Sequence, residues 1–196
     1  MGNFSFVFVS VVAATERRLL VRVNLGDRQL VFKFAYTASS AVRECNRVGK
    51  ICEVFAGDDM AAHREHVRLP IGYIGGIKPV LVSDVWPGHS LARGVPADSN
   101  AREKVRNLLE SQIWPVIDAL AAKDIYYVDL HAGNVMVDDA LANAWLIDFE
   151  GAIAAGSAAG SNGTTQLVAD ASLSKGELSA HIKSQKEALL AKFKSA

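Results

Sequence analysis

The sequence predicts an α+β fold: an antiparallel sheet of short strands carrying one helix, followed by a mainly helical part. Three observations carry this reading. Residues 4–36 hold three β-branched and aromatic runs separated by turn residues. Residues 39–55 repeat apolar side chains at steps of three and four, and residues 99–122 do so over a longer stretch.

The first run, residues 4–14, has the length of a signal-peptide core. No basic residue precedes it, however, and its β-branched and aromatic content suits a buried first strand. It is too short to span a bilayer as a helix, and Phe6 stands where N-myristoylation needs Ser or Thr. Residues 19–23 and 29–34 form the next two strands around the turn 24–28, which contains Asn24, Gly26 and Asp27.

Ser39 and Ser40 offer N-caps for a helix running to Phe55, with Val42, Cys45, Val48, Cys52 and Phe55 as its apolar stripe. Two apolar runs, 67–74 and 79–86, separated by Gly75-Gly76, make a further strand pair and bring the sheet to five strands. Pro87-Gly88 breaks the chain. A long helix starts near Ser99 and runs to Ala122, with Val105, Leu108, Leu109, Ile113, Val116, Ile117 and Leu120 on one side and a kink at Pro115. Short strands at 134–137 and 144–147 follow, joined by residues 138–140. Residues 151–165 are small and Gly-rich, the composition of a linker. A last helix, 174–194, places Leu178, Ile182, Leu189 and Phe193 on its packed side and many lysines on its solvated side.

Composition narrows the partners. The 196 residues contain 21 Lys plus Arg and 21 Asp plus Glu, so no global charge attracts nucleic acid or anionic lipid. Half the residues are apolar, enough for a substantial core. Cys45 and Cys52 lie seven apart on one helix, about 10 Å along its axis, beyond the roughly 7 Å that a disulfide spans. Buried free thiols are expected, as in a reducing compartment. Two Cys and five scattered His give no zinc spacing. These features place the chain inside the cell, in the cytoplasm, with no membrane span.

The chemistry concentrates in residues 127–137 and 146–150. Asp129, Asn134 and Asp148 are oxygen donors on loops that bracket short hydrophobic strands, which fix the backbone and let polar groups converge. A hard divalent cation such as Mg²⁺ takes oxygen ligands and keeps positions for water and phosphate. Asn134 and Asp148 suit that role, and Asp129 is left to accept a proton from a hydroxyl. Upstream, Lys33 lies on a strand among large apolar neighbours, where an ammonium needs a partner such as a phosphate or a helix carboxylate. Glu44 and Glu53 are the candidates. Glu44, on the shoulder of the stripe, is the better placed.

The pattern Asp129-Leu-His-x-x-Asn134, with Ile147-Asp-Phe-Glu150 following, resembles the protein-kinase-like superfamily, nearest its aminoglycoside and choline kinase branch. The resemblance covers residues 4–152 and includes the strand lysine, the helix glutamate, the two middle strands and the long helix, in the family's order. It implies a two-lobed kinase-like fold: an N-lobe of residues 1–86, a reduced helical C-lobe of 87–152, and a linker with a terminal helix over 153–196. It also implies Mg-ATP as cofactor. Lys33 would hold the α- and β-phosphates, oriented by Glu44. Asp129 would be the catalytic base, with Asn134 and Asp148 on the metal. Ser83 would sit near the gatekeeper, and the backbone from Asp84 to Trp86 would meet adenine. His131 matches a histidine of the small-molecule kinases.

Three departures stand against this pattern. The first turn, residues 13–18, contains no glycine, so phosphate must be gripped differently, for example through Arg17 or Arg18. Tyr127 and Val128 replace the usual His and Arg, which removes the receiver of an activation-loop phosphate. Only 46 residues follow Glu150, too few for a full second lobe.

Plainer roles stay open for each residue: a turn former at a strand end for Asp148, a snorkelling lysine for Lys33, a solvated helix position for Glu44, a loop-holding hydrogen bond for His131, and core or pocket walls for Trp86, Trp114 and Trp145. The leading expectation is a minimal phosphotransferase acting on a protein or small-molecule hydroxyl. A pseudokinase serving as a binding or scaffolding module is the alternative, and a kinase-like fold turned to other chemistry is the third.

Overall fold

The computed structural model describes residues 7–14, 18–25, 28–35, 37–77, 79–85, 88–94, 96–154 and 173–194. The chain divides into two compact units, Met1–Cys52 with Leu69–Trp86, and Glu53–Arg68 with Pro87–Ala196.

The first unit is built on a five-stranded antiparallel sheet. Its strands are β1 (Val7–Ala14), β2 (Arg18–Leu25), β3 (Arg28–Ala35), β4 (Gly72–Ile74) and β5 (Val80–Asp84), in the order β1-β2-β3-β5-β4. The two-residue alternation of β2 and β3 explains its core. Val21 pairs with Phe32, Val23 with Leu30, and Phe32 with Val82, and these five side chains form one buried cluster. Each contributes about 1.5 to 3 kcal/mol by leaving water. Lys33 is paired with Leu81 on the opposite face of β3.

Helix α1 (Ala38–Ala56) opens earlier than expected, at Ala38, with the Ala41 amide bonded to the Thr37 carbonyl. Ser39 and Ser40 therefore lie in its first turn, not at the cap. Its buried residues are Ala41, Glu44, Val48, Ile51 and Phe55, and Val42 is exposed. Val48 and Phe55 are buried as read in the sequence, but Ala41, Glu44 and Ile51 take the places expected for Val42, Cys45 and Cys52, so a glutamate lies within the stripe. Cys45 and Cys52 are free, as expected, but half-buried rather than fully enclosed.

The apolar run 67–74 is split. Only Gly72–Ile74 joins the sheet, while Val67 bridges Leu146 in the second unit and the Arg68 amide bonds the Leu146 carbonyl at 3.0 Å. Pro70, lacking an amide proton, stands between the two pairings. Residues Asp58–His66 form a 3-10 helix that the sequence did not signal, with Met60 as its buried residue. Arg64 binds the Phe55 carbonyl and those of Ala56 (2.6 Å) and Gly57 (2.9 Å), covering the orphan acceptors of the last turn of α1.

The second unit centres on one interrupted helix: α2 (Ser99–Leu108), a π turn (Leu109–Ile113) and α3 (Trp114–Ala121). Asp98 caps α2 by accepting from the Ala101 amide at 2.8 Å. All seven residues of the expected stripe are buried. The expected kink is a π turn ahead of Pro115: the proline ring would strike the carbonyl four residues back, and the wider turn relieves the clash.

Four short strands complete this unit with β6 (His89–Ser90). Strand β7 (Ile125–Tyr127) pairs with β10 (Ala152–Ala154), and β8 (Val135–Val137) lies between β6 and β9 (Ala144–Leu146). Helix α4 (Lys175–Ala191) begins with a capping box between Ser174 and Glu177. Leu178, Ile182, Leu189 and Phe193 are all buried, so the apolar side packs as its spacing implies. No helix among the described residues is long and apolar enough to cross a membrane.

Candidate functional site

In the first unit, Lys33 Nζ lies 2.5 Å from Glu44 Oε1, with Glu44 only 5% exposed. Of the two candidate glutamates, Glu44 makes this pair and Glu53 is exposed. The pair accounts for the glutamate in the buried stripe of α1: a carboxylate is tolerated on the core-facing side because an ammonium meets it there.

Ser83 and Asp84 lie on β5, opposite Val31 and Leu30 of β3. The Asp84 carboxylate accepts from Arg28 at 2.6 Å, and the Val85 amide bonds the Gln29 carbonyl at 3.1 Å. This segment would meet a ligand with backbone, since the Asp84 side chain is committed to Arg28. Trp86 and Arg17, and the side chain of Arg18, fall outside the described residues.

In the second unit, β7 leads into Asp129, and a 3-10 turn (Ala132–Asn134) follows it. The buried Asn134 amide group donates to the Asp129 carbonyl at 2.9 Å and to its carboxylate at 3.1 Å. Its nitrogen is thereby committed to Asp129, and its oxygen is the atom a cation would use. His131 Nδ1 accepts from the Gly133 amide at 2.9 Å, so the neutral ring carries its proton on Nε2, which lies 3.6 Å from Asp129. This is the loop-holding role. Gly133 suits it, because a Cβ there would come within 2.6 Å of the His131 ring. Ser90 Oγ donates to the Ala132 carbonyl at 2.9 Å and supports the turn from β6.

Asp148 closes β9 in the left-handed conformation, with φ 56° and ψ 69°. Among non-glycine residues Asp and Asn take that conformation most readily. The Ile147 amide bonds the Asn134 carbonyl at 3.0 Å, tying the Asp148 turn to the Asn134 turn. Tyr127, fully buried, donates its hydroxyl to the Ile147 carbonyl at 2.5 Å and reaches the Asp148 carbonyl at 3.2 Å. Burial, and then the charges of Asp148 and Asp129, push the Tyr127 phenol well above its ordinary range, while a hydrogen bond with Asn134 works the other way. Both carboxylates thus act on one buried hydroxyl. The two turns carry two carboxylates and an amide oxygen, hard donors of the kind that Mg²⁺ takes.

Sequence reasoning missed two supports. Gly151 lies against Asp129: a Cβ at 151 would come within 2.6 Å of the Asp129 Cβ. The side chains of His181 and Gln185 on α4 bond the backbone beside Asp129. The signal that could have revealed Gln185 is its position in the α4 stripe, between Ile182 and Leu189, where an apolar residue belongs.

Among solved structures, the chain is similar to the BubR1 kinase domain, with a TM-score of 0.55 and 14% sequence identity over 79% of this chain and 49% of that one. The chain therefore spans about half the length of that domain. No protein-family model matches the sequence, and neither does any curated protein. The likeness shows that the fold is kinase-like, of the α+β class.

Proposed function

We propose that this chain is a minimal phosphotransferase, related to the aminoglycoside and choline kinase branch, that uses Mg-ATP to phosphorylate a hydroxyl on a protein or small molecule. The observation that carries this reading is the Asp129–Asn134 turn. One carboxylate is oriented by a buried amide, and the turn that carries a second carboxylate, Asp148, is tied to it by the backbone hydrogen bond from Ile147 to Asn134. Asp129 accepts the proton of the attacking hydroxyl. Asn134 and Asp148 hold Mg²⁺, which neutralises charge developing on the transferred phosphoryl group. Lys33, fixed by Glu44, binds the α- and β-phosphates, and the backbone at Ser83 and Asp84 faces adenine.

A second reading, a binding or scaffolding module on the same fold, is favoured by the absence of glycine from residues 13–18 of the sequence. Asp129→Asn separates the two, because it keeps shape while removing proton affinity. Phosphotransfer, or slow ATP hydrolysis, should fall by about 10²- to 10⁴-fold while the thermal shift induced by Mg-ATP survives. A parent protein that binds Mg-ATP without turnover would establish the scaffold instead. Turnover unchanged in Asp129→Asn would leave the third possibility, other chemistry on this fold.

A further inference from the structure

The end of β7 leaves a problem of unpaired backbone. Val128 and Leu130, which flank Asp129, are 2% and 3% exposed, and the pairing of β7 with β10 stops at Tyr127. A buried carbonyl and a buried amide there need partners. Both come from one side chain. Gln185 Nε2 donates to the Val128 carbonyl at 2.7 Å, and Gln185 Oε1 accepts from the Leu130 amide at 3.3 Å. His181, one turn earlier on α4, places Nε2 3.3 Å from the same Val128 carbonyl.

The Gln185 amide thus continues the strand pairing where the strand partner ends, and it brackets Asp129 from both sides. Gln112 does the same elsewhere in this unit, donating to the Ala142 carbonyl at 3.1 Å and accepting from the Ala144 amide at 2.7 Å. Helix α4 is itself anchored independently of this clamp. Lys175 pairs with Asp124 and Lys186 with Asp118, each at 2.6 Å, and four apolar side chains are buried beneath it.

We infer that Gln185, assisted by His181, is a positioning residue that fixes the backbone around Asp129. The terminal helix, distant in sequence from the loop, is therefore part of the apparatus that aims the proposed base. This inference rests on the phosphotransfer reading for its effect on rate, but not for its effect on the loop.

The test uses the full chain with Gln185→Met, which keeps the length of the side chain and removes both hydrogen bonds. Gln185→Glu keeps the acceptor for Leu130 alone, and it carries the test should the methionine variant not fold. Amide hydrogen exchange over residues 126–134 is measured first, since it needs no turnover. The Leu130 amide should exchange about tenfold faster in Gln185→Met, the effect of losing one buried hydrogen bond. Steady-state kinetics with Mg-ATP should then show kcat lowered by about 10- to 100-fold, with KM for ATP within about twofold of the parent. A merely structural role would leave that split absent. Parent-like exchange at Leu130 would overturn the clamp. Faster exchange with kcat unchanged in an active parent would overturn the positioning role. Absence of turnover in the parent would sink the phosphotransfer reading alone, and the exchange result would still decide the clamp.

Discussion

Lys33 and Glu44 in the first unit and Asp129, Asn134 and Asp148 in the second are positioned by opposite means. The first two hold each other: strand and helix supply one charge each, and burial of Glu44 makes the attraction matter. The other three are held chiefly through main chain, by Asn134 on the Asp129 carbonyl, Ile147 on the Asn134 carbonyl, Tyr127 on the Ile147 carbonyl and Gln185 around Asp129. A charge pair fails when one member is removed. A hydrogen-bonded loop loosens by degrees, because each bond contributes about 0.5 to 1.5 kcal/mol.

The sharpest break of this contrast is Lys33→Met, which leaves Glu44 buried without its ammonium. A loss of about 3 kcal/mol in chemical denaturation is expected. The double variant Lys33→Met/Glu44→Leu should recover most of it, since replacing a whole buried pair by apolar groups is often neutral. Additive losses in the double variant would show that the pair is not what holds α1 and β3 in register.

Asp148→Asn comes next. Asparagine keeps the left-handed backbone that alanine would strain, so the change tests the carboxylate alone. Stabilisation by Mg-ATP at about a hundredfold over its Kd, roughly 2.7 kcal/mol, should largely disappear from the thermal-shift titration. Retention of the full shift would remove Asp148 from the metal.

The smallest effect belongs to Tyr127→Phe. Removing one hydroxyl from a loop with several other ties should lower stability by about 1 kcal/mol, read from the urea midpoint. A loss as large as that of Lys33→Met would mean that the loop, too, hangs on a single interaction.

Legibility followed the same division. The α2–α3 stripe was read correctly at all seven positions because nothing but hydropathy decides it. The α1 stripe holds at Val48 and Phe55 but shifts by one residue at its other three positions, because an ion pair, invisible to hydropathy, places Glu44 inside and leaves Val42 outside. Asp129, Asn134 and Asp148 stand out as oxygen donors on loops beside short hydrophobic strands. Tyr127, whose bond runs 20 residues along the chain, leaves no local pattern, and Gln185, whose bond runs 57, shows only as a polar residue in the apolar stripe of α4. Gly151 was missed because its role is the space it leaves beside Asp129.

The π turn ahead of Pro115 bears on how this chain can change in length. A π turn holds one residue more than the α winding it interrupts. Deleting Glu110 or Ser111, both exposed, would rewind Leu109–Ile113 as α without rotating Trp114–Ala121, so Val116, Ile117 and Leu120 would keep facing the core. The same deletion within α2 would turn the following residues by about 100° and expose that stripe. Pro115 opposes the shorter form, because its ring would again meet the carbonyl four residues back. Proline and extra residue therefore form one unit of inheritance: a descendant that loses either is expected to lose both.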